Sequence, residues 1–484
     1  MTVEHVLAPS PAAAHRWRWP ALAALLLGEA MNLLDATIVQ VAAPAIHAEL
    51  GGTVSDIQWF TTAYTLPFAV LLITGGRLGD IAGRRRIFVI GVTGFMLASA
   101  ACALAPSAGL LIAFRAVQGA AAAVIIPQTI VLIKTMFSGD EMSKALGSIG
   151  PVMGLAAVCG PVLGGVLTHA DLFGSSWRAA FLVNVPVSLA VLAIAPKMPE
   201  ARAPKRPTLD LTGTLLAMVG TGLVVHPLIG GDIATLSGWS WGAVVTGLLV
   251  MILFGLHQRR AAAGGRSPLV ESSLFARRSF PAALVTSAAF FAVTNGLMMV
   301  IVLHLQLGLG TDALDAGLTL VPWSVGLAIA SWLAGARLVR RYRHHTMSIG
   351  LGVLLAGALA AIAVYRTADV TAYPKPLLLA LGLIGLGVGL FGPAFFTIAL
   401  EPLQPQEIGS AAGLLNAVQQ LGATLGVAVL GSVYLNYAVS GGPSAALHAV
   451  QIAFWVAVAL VVVSFGTSRL MVPKGPSGRA VTPH

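Results

Sequence analysis

The chain has 484 residues, of which 57% are hydrophobic and only 10% charged, and its mean hydropathy is +0.87. Soluble proteins carry about 25% charged residues, so this composition excludes a soluble enzyme, a nucleic-acid binder, a disordered chain and a secreted disulfide scaffold. The formal charge of +10 sits in short gaps between long apolar runs, which is not the pattern of a surface built for an anionic partner.

A helix that crosses the hydrocarbon core needs about 20 apolar residues. Read from the N-terminus, such segments fall at 21–45, 56–76, 87–105, 110–133, 145–168, 179–196, 209–230, 239–257, 280–305, 313–336, 346–364, 376–400, 408–435 and 448–471, fourteen in all. The remainder is spread over loops and two tails and leaves no room for a soluble domain. Barrel strands would be about 10 residues long with strict alternation, and no segment alternates that way. The first segment follows His15, Arg16 and Arg18 as a signal peptide would. It runs too long, holds Glu29 and Asp35 and lacks a clear cleavage site, so it is expected to be retained. Cys102 and Cys159 lie in apolar runs without metal-ligand spacing and are read as small core residues. With 22 Arg against 6 Lys and abundant Ala and Gly, the composition points to a high-GC bacterium.

Ionisable side chains inside a membrane are costly and usually functional. Segment 1 carries Glu29 and Asp35, and segment 4 carries Arg115. At about 1.5 Å per residue, Asp35 lies about 25 Å along from Arg18 and Arg115 about 28 Å along from Lys134. Their depths match, so the two can pair if the segments are neighbours. A carboxylic acid in a nonpolar site holds its proton more tightly, and a nearby arginine opposes this. Such a pair can load a proton and expel it when the arginine moves or a substrate arrives; the alternative is a structural ion pair. Glu29 stands about 120° around the helix from Asp35. It is a candidate for proton or substrate binding, with a neutral buried acid or a position at the membrane rim as alternatives.

The loop after segment 2 reads Gly76-Arg-Leu-Gly-Asp80-Ile-Ala-Gly83-Arg84-Arg85-Arg86, a tight basic turn in which Asp80 can pair with an arginine or a helix N-terminus. In segment 5, Gly160-Pro161 removes a backbone hydrogen bond and permits a kink, while Gly164 and Gly165 allow close helix approach. Tyr64, Gln118, Gln128, Asn295, Asn416 and Gln420 are candidates for an uncharged polar substrate site, with interhelical hydrogen bonding as the alternative for each. His226 and His304 are read as structural.

Two further patterns organise the chain. Gly147-Ser148, Gly160 and Gly164 recur as Gly409-Ser410, Gly422 and Gly426, a shift of 262 residues, and Gly76-Arg77-Leu78 resembles Gly335-Ala336-Arg337-Leu338. Segments 2 and 5 therefore correspond to 10 and 13, which implies six helices, two inserted ones and six more. The expected organisation is a tail (1–20), a six-helix bundle (21–196), a linker with two inserted helices (197–279), a second bundle (280–471) and a tail (472–484). Lys and Arg concentrate on one side of the segments, 24 against the 3 of Arg178, Arg366 and Lys375, which places both termini in the cytoplasm.

The loop sequence resembles the signature loop of the major facilitator superfamily, departing only at Ile81, where a basic residue is usual. Four more stretches resemble a narrower family, the fourteen-helix drug:proton antiporters of the EmrB/QacA type. These are Leu34-Asp35-Ala-Thr37-Ile-Val-Gln40-Val-Ala42-Ala-Pro44, Leu111-x-x-x-Arg115-x-x-Gln118-Gly119, Gly160-Pro161-x-x-Gly164-Gly165, and Trp177-Arg178-x-x-Phe181-x-x-Asn184-x-Pro186. Gln40 stands where the family prefers Asn, and Ala156 where it prefers Gly. The resemblance implies an all-α polytopic membrane protein with the major facilitator fold, and rocker-switch export of organic compounds driven by the proton gradient. It resembles actinobacterial antibiotic exporters, and the helix 5 element implies export rather than uptake. Competing readings are export of an endogenous metabolite, uptake by proton symport, and a non-transporting receptor or assembly factor. The expected substrate is neutral or monocationic and hydrophobic, because segment 1 alone supplies deep acids. No enzymatic activity, cofactor, metal or nucleic-acid partner is expected, and the chain is expected to act as a monomer.

Overall fold

In the computed structural model, residues 16–171, 174–202, 208–229, 237–264, 268–342, 344–369, 372–404 and 407–471 are described. Residues 1–15 and 472–484 and the basic residues Lys205, Arg206, Arg266 and Arg343 lie outside them, Lys474 and Arg479 falling in the second of these stretches. Fourteen helices among the described residues are long and apolar enough to span a membrane. They are α1 (Arg18–Leu50), α2 (Asp56–Ala82), α3 (Arg84–Ala103), α4 (Ala108–Met136), α5 (Gly139–His169), α6 (Ser176–Lys197), α7 (Leu211–Leu228), α8 (Gly238–Ala263), α9 (Ser279–Gly308), α10 (Ala313–Leu338), α11 (His345–Thr367), α12 (Leu377–Leu400), α13 (Ile408–Ala438) and α14 (Gly441–Met471).

Several ends are set by recognisable local chemistry. Ser107 caps α4 by accepting from Leu110 N at 3.4 Å, and Asp312 caps α10 by accepting from Asp315 N at 2.7 Å. Asp210 caps α7 by accepting from Gly213 N at 2.8 Å. The helical path breaks at the start of α14, at Gly442, whose φ of 72° is closed to most L side chains.

α1–α6 and α9–α14 form two units with the same internal packing. Gly160 and Gly164 of α5 lie so close to α1 that an added Cβ would meet Thr37 Oγ1 at 1.9 Å and Ile38 O at 3.0 Å. Gly422 and Gly426 of α13 stand in the same relation to α9, where a Cβ would meet Ala288 O at 2.4 Å and Ala292 O at 2.0 Å. Of the glycines that carry the 262-residue repeat, Gly160, Gly164, Gly422 and Gly426 thus allow close helix approach, while Gly147 and Gly409 have nothing within 4 Å of an added Cβ. Likewise α2 and α3 pack on α4, as α10 and α11 pack on α12.

The units meet mainly along two pairs, α2 with α13 and α5 with α10, with smaller contacts of α1 to α9 and α10. Polar contacts between them lie in the half of the molecule away from the arginine-rich loops, or near its middle. Gln306 Nε2 donates to Val41 O at 2.8 Å, His169 pairs with Asp312 at 2.9 Å, Ser432 Oγ donates to Gln58 at 3.2 Å, and the Thr65 and Thr424 hydroxyls meet at 2.7 Å.

α7 and α8 form a hairpin outside both units. α7 covers the α2/α13 seam: Thr214 bonds Thr74 at 3.0 Å, Leu228 O accepts from Ser432 at 2.7 Å, and Val225 and Ile229 pack on Ala428. α8 leans on α7 and leaves Trp241, Val245, Leu249, Ile252 and Leu253 exposed, as a helix bathed in lipid does.

Candidate transport site

Asp35 and Arg115 form a salt bridge in which both side chains are 0% exposed. The depth match read from the sequence is thus realised as contact between α1 and α4. Five helices meet at it, α1, α2, α3, α4 and α6. Asp35 Oδ1 accepts from Gln118 Nε2 of α4 at 2.9 Å and from Asn184 Nδ2 of α6 at 2.8 Å. Ser99 Oγ of α3 accepts from the same two amides, at 3.2 and 2.9 Å. Arg115 also donates through Nη1 to Gln118 Oε1 at 2.7 Å and through Nε to Phe60 O at 2.8 Å. Its guanidinium lies over the Tyr64 ring at 4.4 Å, a cation–π contact. The carboxylate thus has three donors, whereas Arg115 Nη2 is buried without a hydrogen-bond partner among the described residues. A buried pair of this kind is costly to break from one side, by about 3–5 kcal/mol, because the remaining charge is left uncompensated.

Glu29 stands apart from this cluster, partly buried and beside Thr129 of α4. The two acids of α1 therefore occupy different surroundings, as their angular separation implies.

The loop after α2 is a second polar cluster. Arg84 pairs with Asp80 one turn earlier and donates to Gln128 Oε1 of α4 at 2.9 Å. Gln128 Nε2 in turn donates to Gly75 O at 2.9 Å. Gly83 has φ of 109°, a conformation that favours glycine, and Glu200 closes over it, accepting from Arg85 N at 3.0 Å. At Gly79 a Cβ would meet Gln128 Oε1 at 2.0 Å, so a side chain there would displace the amide that Arg84 binds. Gly76 has more room: a Cβ there would meet only Pro127 at 3.5 Å. Arg85 donates to Pro196 O and Met198 O, at 3.2 and 3.0 Å, tying the loop to the end of α6.

In α5 the four singled-out residues divide between two neighbours. Gly160 and Gly164 face α1, while Pro161 and Gly165 face α10, where a Cβ on Gly165 would meet Ala313 O at 2.6 Å and one on Gly317 would meet Pro161 O at 2.5 Å.

The uncharged candidates do not assemble into one place. Tyr64, Gln118 and Gln128 are fully buried in the α1–α6 unit, and interhelical bonding describes them here: Tyr64 donates to Asn32 Oδ1 at 3.1 Å. Asn295, Asn416 and Gln420 are partly buried in the α9–α14 unit, and Asn295 Nδ2 donates to Phe291 O at 3.1 Å. His304 is buried edge-on against Tyr365 and Tyr434, and His226 lies beside Trp59.

Sequence reasoning gave no role to Asn184, Ser99 or Glu200. Asn184 stood inside a quoted motif, and the spacing of Ser99 and Cys102 one turn apart on α3 offered no charge to notice. Trp177 and Arg178, also quoted, both donate to Glu49 at the end of α1, the tryptophan at 2.7 Å.

The Major Facilitator Superfamily model matches residues 25–212, 210–427 and 284–479. Similar proteins include a probable actinorhodin transporter of Streptomyces coelicolor, 42% identical over 87% of this chain and 73% of its own length. A puromycin resistance protein of Streptomyces alboniger is 36% identical over 86% and 82%. Among solved structures, the inward-facing, unoccupied form of a bacterial homolog of the human lysosomal transporter Spinster has a TM-score of 0.67 at 17% identity, covering 94% of this chain and 98% of its own. A bundle of fourteen membrane helices, built as two matched six-helix units and an inserted hairpin, defines a polytopic membrane transporter. The chain belongs to the major facilitator superfamily.

Proposed function

We propose that the protein exports hydrophobic antibiotics or drugs across the bacterial cell membrane in exchange for protons, with both termini in the cytoplasm. The observation that carries this reading is the Asp35–Arg115 pair, fully buried and braced by Gln118 and Asn184. Protonation of Asp35 removes the charge that compensates Arg115, so the α1–α4 contact weakens; re-pairing expels the proton. Arg115 Nη2, without a partner, is the donor free to follow a moving carboxylate or a substrate. With the arginine-rich loops in the cytoplasm, the units touch on the outer side, which makes this the inward-facing state.

The substrate is neutral or monocationic, because Glu29 is the one deep acid left when Asp35 carries the proton, and a buried charge must be matched. No cofactor is required, and the chain works as a monomer. The relatives' printed roles with actinorhodin and puromycin favour a substrate from the class of antibiotics made by actinobacteria, including a compound made by the cell itself.

The test is expression in a pump-deficient strain with a compound panel, with and without an uncoupler. Resistance that collapses with the gradient is expected, stronger for a monocationic dye than for a rigid bis-cationic antiseptic of similar hydrophobicity. Gradient-driven accumulation would establish uptake instead. Stronger resistance to the bis-cation would overturn the reading of the cavity's charge.

A further inference from the structure

Beside the loop that follows α2, the segment after α6 folds back against the start of α3. Ala201 O accepts from Arg84 N at 2.8 Å, and Glu200 Oε1 accepts from Arg85 N at 3.0 Å and from Ala201 N at 3.1 Å. The two segments wall a cleft of 610 Å³. Arg85, Arg86 and Arg202 line it together with Glu200, and its apolar side is Val89, Ile90 and Pro196. Three guanidinium groups face one carboxylate, leaving a charge of +2.

The three arginines are not alike. Arg85 is committed: it donates to Pro196 O and Met198 O and lies 3.8 Å from Glu200. Arg86 and Arg202 are exposed and have no hydrogen bond or ion pair among the described residues. From Arg86 the exposed face of α3 continues through Ile90, 54% exposed, to Leu97, 60% exposed, along one helical stripe. Two unpaired cations thus stand at the head of an apolar track that runs into the bilayer.

We propose that this cleft binds an anionic phospholipid, its phosphate on Arg86 and Arg202 and an acyl chain along Val89, Ile90 and Leu97. Charge complementarity fixes the headgroup: a zwitterionic lipid offers a cation as well, which the free arginines oppose. The apolar track selects a lipid over free phosphate. The bound phosphate lies against the same segment that carries Glu200, and so holds the loop around Gly83 in the conformation described above. The proposal does not depend on what the protein transports.

The experiment is thermal unfolding of the purified full chain in detergent, titrated with phosphatidylglycerol, with phosphatidylcholine of the same acyl chains, or with inorganic phosphate. Phosphatidylglycerol is expected to raise Tm, and the other two to leave it near its starting value. Arg86→Gln with Arg202→Gln is expected to weaken the apparent affinity for phosphatidylglycerol about 25-fold, each arginine contributing about fivefold at an anionic surface. Its Tm in phosphatidylcholine is expected to equal that of the unsubstituted chain, which separates lost binding from lost folding. Arg86→Lys with Arg202→Lys is expected to keep most of the response. An undiminished response in the glutamine variant, or an equal one to phosphatidylcholine, overturns the proposal. A response to inorganic phosphate that matches the lipid's shows an anion site without lipid and also overturns it.

Discussion

The two six-helix units share a packing plan and divide the chemistry unequally. The first holds Asp35, Arg115, Glu29 and the Asp80–Arg84 pair, wrapped in amides. The second holds no acid deep in its spans: Asp312, Asp315, Asp369, Glu401 and Glu407 all stand at or beyond helix ends. Its interior is aromatic instead. Phe391 stacks on Phe290 at 3.7 Å and on Phe395 at 5.1 Å, and His304 is enclosed by tyrosines. Duplicated backbone geometry thus constrains where glycines must be, and leaves the polar inventory of each copy free. One unit can specialise in charge while the other offers apolar surface.

Asp35→Asn tests the division most severely. Gradient-driven efflux is expected to vanish in everted vesicles, and folded protein is expected to fall, since an uncompensated Arg115 costs about 3–5 kcal/mol. Adding Arg115→Gln should restore the amount in the membrane without restoring transport. Efflux near the unsubstituted rate in the single variant would place the proton elsewhere.

In the aromatic unit, Phe391→Ala should act on stability and substrate range and leave the gradient dependence unchanged. The loss should fall below the about 3–5 kcal/mol of a water-soluble core, because lipid is as apolar as the pocket and packing alone is lost. Thermal unfolding and a resistance panel on the same variant separate the two effects. Transport that no longer requires the gradient would show that coupling extends into this unit.

The smallest effect belongs to the hairpin, outside both units. Burial pushes the Asp210 carboxyl up, but hydrogen bonds from Gly213 N, His257 and Gln258 outweigh it and hold the group below the usual carboxylate range. Its stabilising contribution is then complete above the ordinary value of about 3.9 and is lost as pH falls through the lower folded value. Asp210→Ala should cost about 1 kcal/mol, as removal of a helix cap does. The difference in Tm from the unsubstituted chain should be the same at pH 7 and pH 5. A gap that closes by pH 5 would show that the carboxylate is not held this way.

Much of this was legible in the sequence, for physical reasons that also mark its limits. Hydropathy reports the hydrocarbon slab, so it found every span but stopped α1 at 45, whereas the helix runs through Pro44 to Leu50. Charge in an apolar run is conspicuous, and Asp35 and Arg115 could be matched by depth. Neutral partners are not conspicuous: Asn184 reaches the carboxylate from 149 residues away in sequence, and Ser99 braces Asn184 from 85 residues away, with nothing but an amide and a hydroxyl to mark them. Gln118 and Gln128 were visible as polar, but the sequence could not say whether they faced a cavity or a neighbouring helix. Glu200 lies in a basic linker 115 residues from Arg85, and only the folded chain brings it over Gly83.

The glycine contact between α5 and α10 has a mechanical meaning. Gly165 and Gly317 bring main chain against main chain, with no side chains between to bend or slide. Rotamers absorb small displacements in most helix interfaces; here nothing can, and packed interfaces of this kind switch rather than deform. The seam therefore behaves as a catch with two settings, seated or released. Whatever drives the units apart must supply the whole of the release at once, and a pathway sealed this way does not leak by degrees.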